Sequence, residues 1–174
     1  LLLLGTPYTI ENIKSRLFFW RMNIKSQPKI NIDAIIKAIS SMSSNKTGAL
    51  ILLAKKNELK QFIETGQRID GIVSTSLIEN IFFKNAPLHD GAVIIERNKI
   101  RAARCVLPIT RNRSFPANYG LRHRAAVGAS EQTDAIVLIV SEENGKISYA
   151  KGGSLHLHLT PNQLKNYLSE EFSA

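Results

Sequence analysis

From Asn31 onward, Ile32, Ile35, Ile36, Ile39 and Met42 recur at three- and four-residue spacing, which predicts a helix with one core-facing stripe. Ser43-Ser44-Asn45 gives that helix a polar exit. Gly48 to Ala54 is a continuous apolar run of strand length, as expected of a strand covered on both faces. Lys60 to Glu64 and Ile69 to Val73 read as shorter extended pieces, and Ser76-Leu77-Ile78-Glu79 reads as a capping box opening a helix through Phe83. Gly91 to Glu96 and Lys99 to Leu107 form two strands turning at Arg97-Asn98. A loop over 109–119 leads to a helix from Leu121 through Ser130, and Ala135 to Ser141 is a second fully buried strand. Asn144-Gly145 predicts a type I′ hairpin into Lys146 to Lys151. Leu155 to Leu159 alternates as a half-exposed strand, with His156 and His158 on one face, and Thr160-Pro161-Asn162-Gln163 caps a last helix.

Helices interleaved with strands, together with two hairpin signals, predict an α/β fold: a single domain with a central mixed β-sheet flanked by helices. The 174 residues and 44% hydrophobic content suit one core. Neither a Walker loop nor a Gly-x-Gly-x-x-Gly turn occurs, so a nucleotide here needs another cradle. Gly120 followed by a helix N-terminus offers one, because unpaired amides and the helix dipole favour phosphate.

Charge narrows the choice of ligand. The formal +9 is local: Arg97 to Arg124 contains eight Lys or Arg and no acid, whereas residues 31–96 balance seven against seven. Such a segment calls for an anionic partner. A single cysteine, Cys105, excludes an internal disulfide and reads as a small core hydrophobe. Residues 1–30 form a separate basic and aromatic stretch. Leu1 to Leu4 is too short to span a bilayer, and Ile13 to Arg21 reads either as an interfacial membrane segment or as a surface helix or linker ending at Pro28.

Two motifs carry candidate chemistry. In Leu88-His89-Asp90-Gly91-Ala92, a carboxylate on a tight glycine turn can hold a metal or take a proton. In Gly120-Leu121-Arg122-His123-Arg124, two planar guanidinium forks bracket an imidazole and can grip phosphate. Ser141-Glu142-Glu143 ends a buried strand, where loops commonly carry site residues.

Taken with Gly48-Ala49-Leu50-Ile51, Ala86-Pro87-Leu88, Leu107-Pro108, Ala125 to Glu131 and Lys151-Gly152-Gly153, these motifs resemble the diadenylate cyclase (DAC) domain, in its membrane-associated bacterial branch. The similarity spans roughly residues 31–172, and the catalytic domain is expected over 31–174. The resemblance implies the DAC fold and condensation of two ATP molecules into cyclic di-AMP with release of two pyrophosphates, using Mg²⁺, Mn²⁺ or Co²⁺. It implies that Asp90 holds the metal and activates a ribose 3′-hydroxyl, with Glu143 joining the metal site; His89 reads either as a further metal ligand or as a hydrogen-bonded turn residue. Gly91 lets the backbone approach the ligand and Ala92 keeps its position small, Arg122 and Arg124 bind phosphate, and His123 adds a phosphate hydrogen bond or orients its neighbours. ATP contacts fall to Gly48, Ala49, Leu50, Ile51, Leu107, Leu121, Ser141 and Glu142.

Two positions depart from the family's usual pattern. Leu121 stands where a threonine usually precedes the Arg-His-Arg triplet, so a phosphate contact is lost, and Val106 replaces a common aromatic before Leu-Pro. A symmetric product made from two ATP requires two sites face to face, so a homodimer or higher homo-oligomer is expected. The branch also implies a cytoplasmic domain tethered to the inner face of the cell membrane. Two readings compete: a non-catalytic module binding adenine nucleotide or cyclic di-AMP, and a nucleic-acid binder using the basic run. The second leaves the carboxylates unexplained.

Overall fold

The computed structural model describes residues 29–173. The elements are α1 (Ile32–Ser44), β1 (Ala49–Leu53), α2 (Lys60–Ile63), β2 (Gln67–Ile72), α3 (Thr75–Phe82), β3 (Ala92–Glu96), β4 (Lys99–Cys105), α4 (Leu121–Gln132), β5 (Ile136–Val140), β6 (Ile147–Lys151), β7 (Ser154–Leu159) and α5 (Pro161–Glu171). The strands form one seven-stranded sheet in the order β2-β4-β3-β1-β5-β6-β7. Only the β1–β3 pair is parallel, so the sheet is mixed, as the hairpin signals require.

The continuous apolar runs occupy the centre because both of their faces are covered. Along β1, Ala49, Ile51 and Leu53 enter a core beneath α1, α3 and α5, while Leu50 and Leu52 enter a second core beneath α2 and α4. β5 divides the same way, with Ile136, Leu138 and Val140 on the first side and Val137 and Ile139 on the second. β7 is an edge strand and stays half exposed.

Helix starts follow local chemistry. Asn31 caps α1 by accepting from the Ala34 amide at 3.0 Å, and Thr160 and Gln163 close a reciprocal capping box on α5, as its sequence predicts. Four expectations change. Lys60 to Glu64 is not extended but a single helical turn, α2, which turns Leu59 and Phe62 into the second core; four residues are too few to show a period. The cap of α3 is Ser74 rather than Ser76, because strand pairing ends where the Val73 amide meets the Asn98 carbonyl, and the chain turns at once. Asn144-Gly145 is not a type I′ turn: in the four-residue loop Glu142–Gly145 only Gly145 takes positive φ (+73°), and a Cβ there would meet the Ser43 carbonyl at 2.2 Å. A bulge in β7 breaks the two-residue repeat, so His156 stacks on Tyr149 while His158 lines the cleft described below. The reading of Ile13 to Arg21 falls outside the described residues.

α4 lies unusually close to the loop following β4. A Cβ on Gly128 would fall 2.1 Å from the Pro108 carbonyl oxygen and 2.6 Å from the Thr110 amide, both rigid backbone. That approach lets Thr110 donate from its amide to Arg124 O at 3.1 Å and from its hydroxyl to Glu131 at 2.6 Å. Gly128→Ala is expected to destabilise the fold by about 1–3 kcal/mol through overpacking, measured as a lowered urea midpoint; an unchanged midpoint would mean that the loop yields freely.

Candidate active site

Strand register decides what meets at the site. Ala49 pairs with Val140, Ile51 with Val93 and Ala92 with Cys105, so Gly48, Gly91, Ser141 and the end of β4 all reach the same end of the sheet. The first turn of α4 arrives there as well. Gly120 supplies no side-chain cap, which leaves early amides of the helix without a protein acceptor at the cleft.

The result is a cleft of about 1480 Å³, larger than the roughly 300–1,000 Å³ of a drug-sized pocket. It is lined by His89, Asp90, Gly91, Leu121, Arg122, His123, Ser141, Glu142 and Glu143, with Leu50, Leu107 and Ile139 supplying an apolar wall. Three segments far apart in sequence thus converge on one surface. Asp90 is exposed rather than sealed in the core.

The remaining expected residues sit around this cleft rather than in it. Ala49 and Ile51 point to the opposite face of the sheet, as alternation along a strand demands, and Leu50 between them turns toward the cleft. Ala92 is fully buried behind Gly91. Gly48 makes room: a Cβ there would stand 3.0 Å from the Arg122 guanidinium carbon and 3.0 Å from Glu142 Cβ. Arg124 is not among the lining residues; its guanidinium lies over the Phe115 ring at 5.7 Å, with Nε donating to Tyr119 O at 3.4 Å.

Charges within the cleft are partly matched. Arg122 pairs with Glu142 at 2.9 Å, which leaves other guanidinium N–H groups for a ligand. His123 packs its ring 5.2 Å from Tyr119, and burial holds its imidazole below the usual range, with Arg122 adding to this and Glu143 opposing it. The thiol of Cys105, buried in the wall of the cleft, is pushed up to about 11 by desolvation, which fits a core residue and not a nucleophile. The basic run is less needy than its sequence suggests, since Arg101 bridges Asp70 and Glu96.

Among the described residues no three His, Cys, Asp or Glu side chains close into a ready-made metal cage. The donor set still fits a hard divalent cation. Such ions are commonly held by one or two carboxylates, with water and substrate phosphate completing the shell, and Asp90 and Glu143 are both exposed in the cleft. The Nδ1 of His89 donates to Ala86 O at 2.6 Å, which leaves Nε2 free.

Sequence reasoning missed several lining residues: Arg104, Asn118, Tyr119, Lys146 and His158. Tyr119 had no periodic signal, because it precedes the N-cap of α4. Arg104 and His158 had none, because β-bulges put them there.

The His123 shift has a sign. Its folded value lies below the ordinary ~6.5 of an unfolded chain, so on acidification the unfolded imidazole takes its proton first and stability falls as pH drops through that window. His123→Gln should flatten the decline of the denaturant midpoint between about pH 7 and 5.5; an identical slope would remove His123 as its source.

A sequence model of the family described as DAC, DisA bacterial checkpoint controller nucleotide-binding, matches residues 36–155. Cyclic di-AMP synthase CdaA of Bacillus subtilis is 43% identical over 165 residues, covering 94% of this chain and 60% of that protein. A diadenylate cyclase of Listeria monocytogenes is 42% identical over 140 residues, covering 80% and 51%. The chain thus spans between half and two thirds of the length of these curated relatives. Among solved structures, a double cysteine mutant of DacA from Staphylococcus aureus superposes with a TM-score of 0.80 at 40% identity, covering 82% of this chain and 95% of that one. A protein from Bacillus cereus described as a hypothetical membrane spanning protein matches with a TM-score of 0.74 at 33% identity, covering 92% and 81%. By sequence and by fold, this chain belongs to the DAC family.

Proposed function

We propose that the protein is a diadenylate cyclase: it joins two ATP into cyclic di-AMP and releases two pyrophosphates. The observation that carries this reading is the convergence of Asp90, Arg122, His123 and Glu143 on one cleft, in a chain whose relatives are named for that product. In each half-reaction a ribose 3′-oxygen forms a bond to an α-phosphorus, the bond from that phosphorus to pyrophosphate breaks, and the hydroxyl proton leaves.

Each role follows from the chemistry of the side chain. The apolar wall of Leu50, Leu107 and Ile139 takes the flat adenine. Arg122 and the free amides of the first α4 turn hold phosphate oxygens, and Ser141 lies beside them. His123, kept uncharged near neutral pH, donates a hydrogen bond without competing for the carboxylates. Asp90 orients the 3′-hydroxyl and draws on its proton. Asp90 and Glu143, with Nε2 of His89, would hold Mg²⁺, Mn²⁺ or Co²⁺, which when bound lowers the hydroxyl's proton affinity and offsets phosphate charge. Arg124 acts behind the cleft by fixing Tyr119 and the loop over 109–119. Leu121 and Val106 expose apolar side chains, 72% and 66%, where an oxygen or a ring would add a contact.

Geometry then demands two copies. Each chain carries one Asp90, and both 3′-hydroxyls must attack in line, so the active species is a homodimer or higher oligomer with clefts opposed. We place the catalytic domain at 31–174. Residues 1–30 form a basic linker or juxtamembrane segment that tethers the domain to the inner face of the cell membrane. Support for the tether comes from the Bacillus cereus neighbour, described as membrane spanning, and from the net positive charge of that segment. Among the described residues no helix is long and apolar enough to cross a membrane.

Asp90→Asn should lower cyclic di-AMP formation from ATP and Mn²⁺ by about 10²–10⁴-fold while circular dichroism and melting stay unchanged. Full turnover in that variant, read by chromatography, would end the assignment. Product formed per chain should also climb as the protein is concentrated through its dissociation range; constant specific activity in samples shown to be monomeric would refute the opposed-cleft arrangement.

A further inference from the structure

One cation in the cleft is held in a backbone setting that the sheet itself does not need. Arg104 has φ +57°, in the left-handed region that non-glycine residues occupy at a cost. It is the extra residue of a β-bulge: between the pairs Ala92↔Cys105 and Ile94↔Ala102, β4 takes three steps where β3 takes two. The two cores show what the insertion does. Ala102 and Cys105 face the core beneath α4, and Ala103 faces the core beneath α1. With Arg104 left out of the count, those three residues alternate as an ordinary strand should. The insertion leaves both cores in register and turns one exposed side chain into the cleft. Bulges beside active sites re-aim side chains in this way, and strained non-glycine residues concentrate where a ligand makes use of them.

Position and charge point to the ligand. The backbone of Arg104 lies against Gly91, where an added Cβ would fall 2.9 Å from Arg104 Cα and 2.8 Å from its carbonyl carbon. Arg104 is therefore anchored beside the turn that carries Asp90, at the reacting end of the cleft. Arg122 is paired with Glu142, and Arg101, on the same strand as Arg104, is paired twice. Among the described residues Arg104 has no carboxylate partner. A guanidinium without a counter-ion, aimed into a cleft for a polyanion, is built to take phosphate through its planar fork.

We infer that Arg104 is a further substrate-binding residue, contacting triphosphate oxygens of the ATP in its cleft; this rests on reading the cleft as an ATP site. It supplies part of the phosphate contact that Leu121 cannot make.

The test uses Arg104→Gly, which relieves the left-handed strain while removing the cation, and Arg104→Lys, which keeps a charge. Binding of ATP and of adenosine is measured by calorimetry in EDTA, so that no turnover intervenes. Arg104→Gly should melt at or above the wild-type temperature and bind ATP about tenfold more weakly, with adenosine affinity unchanged and the ATP loss shrinking as salt is added. Arg104→Lys should recover part of the ATP affinity. Unchanged ATP affinity overturns the inference, as does equal weakening for ATP and adenosine, which would mark a base-stacking role. A lowered melting temperature with both ligands lost also overturns it, since Arg104 would then be structural. Failure of the wild-type protein to bind ATP would instead strike at the reading of the cleft itself.

Discussion

The site depends on the register of β1 between β3 and β5. Parallel pairing with β3 and antiparallel pairing with β5 bring the N-terminal end of one strand, the N-terminal end of the second and the C-terminal end of the third to the same edge. Asp90, Gly48 and Ser141 become neighbours for no other reason. A slip of one residue would exchange the two faces of β1, placing Leu50 and Leu52 among the packing of α1 and withdrawing the apolar wall from the cleft. The same burial that stabilises the sheet therefore sets the geometry of the chemistry. Both faces of β1 are covered, so any slip is opposed from two sides.

Much of this frame was legible because each signal was longer than its noise. The stripe of α1, the unbroken apolar runs of β1 and β5 and the capping box of α5 each combine several residues that agree. The failures have a common form. At α2, at the Ser74 cap and at the loop Glu142–Gly145, the outcome turns on one or two residues whose alternatives differ by little locally. Tertiary packing decides: Leu59 and Phe62 need a core to enter, and Gly145 must pass within reach of the Ser43 carbonyl, whose residue donates its hydroxyl back to Gly145 O at 2.6 Å.

The candidate site was legible in its residue types and less so in their orientation. Motif reading named the carboxylates, the arginines and the imidazole, but a run of adjacent residues does not by itself say which side chains face the cleft. A strand allows every second residue to do so, which sends Ala49 and Ile51 to the opposite core. A helix turns about a hundred degrees per residue, so Arg122 and Arg124 cannot share a direction, and Arg124 leans on Phe115. The acid-free basic run misled in a related way, because its nearest counter-charges, Asp70, Glu96 and Glu142, lie outside it in sequence but beside it in space.

Irregularity marks the rest of the cleft. Gly128 admits the Pro108–Thr110 backbone to within van der Waals limits of α4, and this holds the helix whose first turn opens on the cleft. Gly48 leaves space for a guanidinium that a methyl group would displace. The bulges of β4 and β7 then place Arg104 and His158 where a regular strand would not. A regular sheet offers a cleft only the alternate residues of its strand ends, which are mostly apolar here because the cores need them to be. Gln67 and Ser148 reach the cleft from β2 and β6, but the charged and imidazole groups enter where the repeat is broken, by a turn at Asp90, a helix start at Leu121, a loop at Glu142 or an inserted residue, so the breaks in regular structure and the candidate chemistry coincide.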